Sequence, residues 1–185
     1  DFLSSDLSTV YTRSINSPDY AMKLYNRGEK HSYYFLDAED TKTPIIVPGY
    51  QRSYSGLLGK SHANIFSYNY NIEKGQNIGF LATNRDFEEG GNSSLFSIKG
   101  NFLFKDIYRT QFELVTTGID EPFSDVINTE NVSKEHTYNL DGESFNGYGG
   151  VFGIRRDSED WSTRYYFATK SPNYRSDLGF TTEND

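Results

Sequence analysis

Apolar and aromatic residues recur at every second position along most of this chain, which is the period of a pleated strand, while a helical period is hard to find. The alternation predicts eight long strands. The first, residues 19–27, sets Tyr20, Met22 and Leu24 on one face and Lys23 and Tyr25 on the other. A turn at Gly28-Glu29-Lys30 leads to the second, residues 31–38. The third, residues 61–72, lines up Phe66, Tyr68, Tyr70 and Ile72, and the fourth, residues 77–87, lines up Ile78, Phe80 and Ala82. The fifth, residues 93–105, alternates most clearly, with Ser94, Phe96, Ile98, Gly100, Phe102 and Phe104 against Ser97, Lys99 and Asn101. The sixth, residues 108–117, sets Tyr108, Thr110, Phe112 and Leu114 against Arg109, Gln111 and Glu113. The seventh, residues 145–156, sets Tyr148, Phe152 and Ile154 against Gly147, Gly149, Gly153 and Arg155. In the eighth, residues 161–170, Trp161, Thr163, Tyr165 and Phe167 oppose Ser162, Arg164 and Tyr166.

The connections follow a rule of their own. Tight turns alternate with longer excursions, of which residues 39–60 and 118–144 are the longest and read as loops, the first with a short strand at Ile45-Ile46-Val47. A soluble sandwich gives little reason for all tight turns to fall at one end of the strands. An outer-membrane barrel does, because its periplasmic turns are short and its extracellular loops long. Strand lengths also match the roughly 9–11 residues that a tilted strand needs to cross the hydrocarbon layer. The expected fold is therefore all-β, an antiparallel up-and-down transmembrane β-barrel. Residues 1–185 read as a segment of one such domain, with a strand-like stretch at 8–15 and an unfinished tail from Ser171 favouring a barrel wider than eight strands.

Composition supports folding without a soluble core. Mean hydropathy is only −0.70, yet 16% of residues are aromatic, with 15 Tyr and 14 Phe among them. Disordered chains are poor in aromatics. In a barrel only the lipid-facing half of each strand is apolar, and Tyr and Trp gather where the acyl chains meet the headgroups. Tyr20, Tyr70, Tyr108, Tyr148 and Trp161, near strand ends, are the expected girdle. Lys23, Asp37, Lys99, Arg109, Glu113, Arg155 and Arg164 fall opposite the better apolar stripe and are the expected lumen-facing charges. On a competing reading the same residues lie on the wet face of a soluble sheet.

Charge and motifs exclude several classes. With 18 Lys plus Arg against 26 Asp plus Glu, the formal charge of −8 is the wrong sign for gripping nucleic acid. Absence of cysteine removes disulfides, thiolate metal sites and cysteine nucleophiles. The N-terminus lacks the basic start and apolar stretch of a signal peptide, which suits a mature, excised or cytosolic chain alike. His31, His62 and His136 have no metal-ligand spacing. Residues 147–153 carry Phe152 where a dinucleotide loop needs its third glycine, so the glycines there read instead as room in a barrel wall. The Asn92 and Asn131 glycosylation patterns read as chance. Asp37, Glu39, Asp40, Glu88 and Glu89 could supply the carboxylate pair of a glycan-cleaving enzyme, but such acids are mostly just solvated. No metal and no cofactor is called for, and the expectation is a non-enzymatic protein.

Several stretches resemble a bacterial outer-membrane β-barrel family, domain-of-unknown-function family 5916, commonly found behind a family 9-like carbohydrate-binding module. The most specific is residues 171–180, Ser-Pro-Asn-Tyr-Arg-Ser-Asp-Leu-Gly-Phe, similar to the family's Ser-Pro-x-aromatic-x-x-Asp-Leu-Gly-Phe. Tyr11-Thr12-Arg13-Ser14-Ile15, Lys23-Leu24, Ala38-Glu39-Asp40 with Thr43, Ile46-Val47-Pro48-Gly49 and Thr83-Asn84-Arg85 follow the family's order. Asn16 and Asn26 stand where the family usually has Gly, in turns where Asn also adopts the left-handed conformation. The resemblance implies a barrel larger than this chain, in the outer membrane, with a sugar-binding module upstream, and it supplies no catalytic residues to carry over. The expected role is porin-like transport or surface assembly, linked to glycan handling, with outer-membrane lipid, a glycan and other surface or periplasmic proteins as partners. The alternative is a secreted soluble β-sandwich that binds carbohydrate through Tyr50, Tyr54 and Tyr174.

Overall fold

A computed structural model describes residue 3 and residues 5–49, 52–73, 75–132 and 136–183. The chain is all-β, and no described residue is α-helical. The elements are β1 (Pro18–Arg27), β2 (His31–Asp40), β3 (Thr43–Gly49), β4 (Arg52–Leu58), β5 (Ser61–Asn71), β6 (Asn77–Phe87), β7 (Asn92–Phe104), β8 (Tyr108–Asp120), β9 (Phe123–Ser124), β10 (Leu140–Asp141), β11 (Ser144–Asp157) and β12 (Ser162–Lys170). Eight of these form one antiparallel sheet in the order β1-β2-β5-β6-β7-β8-β11-β12, a meander in which each strand lies beside the next long strand of the chain. Every long strand expected from the alternation is present, each within about three residues of its expected ends.

The tight connections, residues 28–30, 72–76, 105–107 and 158–161, all lie at one end of the sheet. The longer ones, residues 41–60 and 121–143, and the turn at 88–91 lie at the other. Among the described residues the sheet does not close on itself. β1 and β12 pair on one side only, and all ten residues of β1 are exposed.

Three expectations are corrected. The stretch 39–60, expected as a loop with a short strand at Ile45-Ile46-Val47, carries that strand as part of β3 and adds a partner, β4, registered from Thr43↔Leu58 to Gly49↔Arg52. With residues 121–143 this hairpin forms a cap over the loop end, built on Ile45, Val47, Leu58, Phe87, Ile127, Tyr138 and Leu140. Residues 8–15 are not a strand; they run as irregular chain with a single 3-10 turn at Thr12–Ser14. The segment after Ser171 does not trail away. With residues 5–15 it lies on one face of the sheet, where Leu7, Tyr174 and Leu178 pack against Ala63, Ile65, Leu81, Leu95, Val115 and Val151. That face is called inner below. Glycine makes the packing possible, because a Cβ on Gly147 would run into the Asn173 backbone.

Candidate functional site

Antiparallel pairing places residues of neighbouring strands in rows, and the rows give the two faces opposite chemistry. On the outer face, one row runs Leu24↔Phe35↔Phe66↔Ala82↔Phe96↔Thr116↔Tyr148, and the next Tyr33↔Tyr68↔Phe80↔Ile98↔Leu114. A third carries Tyr70↔Ile78↔Gly100↔Phe112↔Phe152↔Phe167. Many of these large side chains are exposed, including Leu24, Phe66, Phe96, Leu114, Phe152 and Phe167. Nearest the loop end the face turns abruptly polar, along Asp37↔Asn64↔Asn84↔Ser94↔Gly118↔Asn146.

All five expected girdle aromatics are on this outer face or at its margin. Tyr70, Tyr108 and Trp161 stand toward the turn end, Tyr20 and Tyr148 toward the loop end. Trp161 immediately precedes β12, with the Arg156 guanidinium 4.0 Å above its ring.

The inner face sets charged and hydroxyl groups around its apolar patch and is covered at the loop end. Arg85 is fully buried and donates to the Ser14 and Asp177 carbonyls, each at 3.1 Å, with the Asp40 carboxylate 4.0 Å away. Asp40 accepts the Asn16 and Ser17 N–H groups at 2.8 and 2.6 Å, and Glu113 accepts from Ser5 Oγ, the Asp6 N–H and Ser97 Oγ. The two covering segments also hold each other, through the Tyr11 N–H to the Leu178 carbonyl and the Phe180 N–H to the Ser8 carbonyl. Strand charges thus act here as anchors for the segments rather than as groups facing free solvent.

Where the covering segments and the cap meet, Arg175 bonds the Glu121 and Asp177 carboxylates at 2.5 and 2.8 Å, all three being buried. Burial favours losing the Arg175 proton, but its two carboxylate partners outweigh that and hold it charged. Burial pushes the Glu121 carboxyl up to about 7, against the opposing pull of Arg175 and with a further push from Asp141 and Asp177. The Tyr174 phenol is raised by burial and by the Glu113 charge, so it stays neutral.

Toward the turn end the inner face opens into a cavity of about 640 Å³. Its wall includes a row of carboxamides, Asn71↔Asn77↔Asn101↔Gln111, with Arg27, Lys99 and Glu113 on neighbouring positions. Each carboxamide both donates and accepts, so the row suits hydroxyl-rich solutes and water equally. Beyond it lies a basic row, Arg109↔Arg155↔Arg164, in which Arg155 is 2.7 Å from Asp157. Like charges set directly opposite repel, so this row favours anions at the mouth.

Six of the seven expected lumen-facing charges, Lys23, Lys99, Arg109, Glu113, Arg155 and Arg164, are on the inner face. Asp37 is not. It stands in the polar outer row and lies 3.0 Å from His62, because β2 alternates with Ala38 and Asp40 turned inward and buried. Of the candidate enzymatic acids, Asp40 is buried as described, Asp37 lies 3.0 Å from His62, Glu39 lies 3.6 Å from Lys60, and Glu39 and Glu88 line one shallow pocket with Asp86. Of the aromatics of the sugar-binding alternative, the two described, Tyr54 and Tyr174, do not share a groove. Tyr54 packs in the cap 5.2 Å from Tyr138, Tyr174 is fully buried under the sheet, and Tyr50 lies outside the described residues. The histidines are apart, and His136 stacks on Phe145.

Reasoning from the sequence missed Arg85, Glu121, Arg175 and Asp177 as interior groups. Three of them lie inside stretches that carry the family resemblance, residues 83–85 and 171–180, and that was the available signal. No protein-family model, no curated protein and no solved structure matches the chain.

Proposed function

We propose that this sheet is part of the wall of a bacterial outer-membrane β-barrel, non-enzymatic, with a porin-like transport or surface-assembly role. The observation that carries the reading is the inverted polarity: an uncovered aromatic outer face and an inner face whose buried groups include Arg85, Glu113, Ser97 and Thr117. In water an exposed patch of that size is a liability; in lipid it is the required surface. The outer aromatics of β7 span residues 96–104, eight rises of about 3.4 Å or roughly 27 Å along the strand, close to the ~25 Å apolar band of such barrels before tilt is allowed for. The polar outer row then marks the edge of the membrane.

The open edges at β1 and β12 support a barrel wider than this sheet, since unpaired strand N–H and C=O groups are not tolerated in lipid. On this reading the covering segments plug the extracellular half of the inner face, and the cavity opens to the periplasm. The carboxamide row can bond a hydroxyl-rich solute, and the choice of a glycan rests on the family resemblance.

Fractionating the native envelope for the full-length parent protein, then comparing gel mobility of unboiled and boiled extract, tests the proposal. Recovery with the outer membrane and slower migration after boiling are expected. Release into the soluble fraction without detergent would overturn it.

A further inference from the structure

Outside the inner face, the loop cap brings three carboxylates together. Glu121 follows β8, while Asp141 ends β10 and Glu143 precedes β11, and one oxygen from each lies within 4.8 Å of the other two. Gly142, between the latter two, sits at φ +84 with the Phe123 ring so close that a Cβ would crowd it, which fixes the turn that presents both acids.

The oxygens differ in their partners. One Glu121 oxygen is taken by Arg175; the other, Oε2, is buried and has no partner, on a side chain 1% exposed. Asp141 is similar: Oδ2 accepts the Thr137 hydroxyl at 2.7 Å, whereas Oδ1 is buried without a partner. Glu143 Oε2 accepts the Thr137 N–H at 3.1 Å, leaving its other oxygen for a further ligand. Buried carboxylate oxygens without donors are costly, and two acids facing each other compound the cost. Arg175 supplies one positive charge, and Asp177 already shares it.

We infer that Glu121, Asp141 and Glu143 form a Ca²⁺ site that ties the loop cap to the end of the sheet. The donors are all oxygen, which selects a hard cation. Ligands opposite one another across Ca²⁺ lie about 4.6–5.2 Å apart, while across Mg²⁺ they lie about 4.0–4.2 Å apart. The three oxygens lie within 4.8 Å of one another, which is inside the span of a Ca²⁺ shell. Asp141 and Glu143 are only half-buried, so the ion has a way in and water can complete its shell. With one arginine beside three carboxylates, affinity should resemble that of extracellular modules, a dissociation constant on the order of 10⁻⁴–10⁻³ M. The inference does not require the sheet to lie in a membrane.

The test uses full-length protein stripped with EGTA and titrated with CaCl₂, read by calorimetry and thermal unfolding, with MgCl₂ in parallel. The expected result is one saturable Ca²⁺ site per chain, a rise in Tm of roughly 3–10 °C at 10 mM Ca²⁺, and a smaller response to Mg²⁺. In the double variant Asp141→Asn, Glu143→Gln both signals should vanish while far-ultraviolet circular dichroism is unchanged. Because those two side chains are half-buried, the variant leaves the Arg175 pairs in place, and terbium luminescence displaced by Ca²⁺ gives a second reading of occupancy. Absence of Ca²⁺ heat and of a Tm shift in the unmodified protein would overturn the site. So would binding that survives the double variant, or stability that follows pH and ignores Ca²⁺, since a shared proton would then satisfy the acids.

Discussion

The two faces of the sheet share their backbone and differ in what they ask of side chains. On the inner face, Arg85, Asp40, Glu113 and Ser97 each have named partners, several of them in segments more than seventy residues away in sequence. On the outer face, Leu24, Phe96, Leu114 and Phe152 are each about half exposed. A soluble sheet buries its apolar face and wets the other. Here the buried face combines an apolar patch, Ile65, Leu81, Leu95, Val115 and Val151, with hydrogen-bonded and ion-paired groups, while the outer face leaves large apolar side chains exposed.

The contrast can be broken most forcefully from the inner side. Arg175→Met strands Glu121 and Asp177 as buried unpaired acids, and denaturant unfolding should show a loss of about 3–5 kcal/mol. A loss below about 1 kcal/mol would mean that water reaches the pair. On the outer face, Leu114→Arg puts a charge in the middle of the aromatic rows. Refolding into bilayers should cost about 2–4 kcal/mol, whereas a wet surface would register no more than about 0.5 kcal/mol.

The third effect is a pH dependence. Glu121 rises from 4.5 when unfolded to about 7 when folded, so the folded state holds its proton more tightly. Its contribution is complete below about pH 4.5 and is lost as pH climbs through about 7, a fall of at most about 3 kcal/mol in Ca²⁺-free buffer. Glu121→Gln should flatten that slope; an unchanged slope would assign it to another group. Smallest is the basic row. Arg155→Gln relieves repulsion with Arg109 and Arg164 while giving up an exposed pair with Asp157 that contributes little. Stability should rise by a few tenths of a kcal/mol, and a clear loss would mean that an anion normally bridges the row.

How much was legible in the sequence follows from how local each signal is. The existence of the long strands, the turn positions and the facing of β5 to β8, β11 and β12 are written in period-two alternation, so Phe96, Ile98 and Phe102 separate cleanly from Ser97, Lys99 and Asn101. β2 carries aromatics on both faces, with Tyr33 and Phe35 outward and Tyr34 inward, so its parity was ambiguous and Asp37 was misplaced. The interior charges were illegible for another reason. Arg175 and Glu121 are 54 positions apart, and each sits in a polar stretch that looks solvated until the chain brings them together. Likewise Pro44 and Pro48 made residues 41–60 look like loop, although a two-stranded hairpin tolerates proline at positions whose N–H is not needed by the ladder.

The most direct test of the inverted polarity uses the absence of cysteine, which lets single spin labels be placed one at a time along residues 94–104 of β7. With the full-length protein in lipid bilayers, relaxation by dissolved oxygen and by a water-soluble nickel chelate is measured at each position. The account predicts a two-residue rhythm, with positions 96, 98, 102 and 104 open to oxygen and closed to nickel, and position 97 closed to both. Nickel access at 96 and 98 equal to that at exposed loop positions would contradict it.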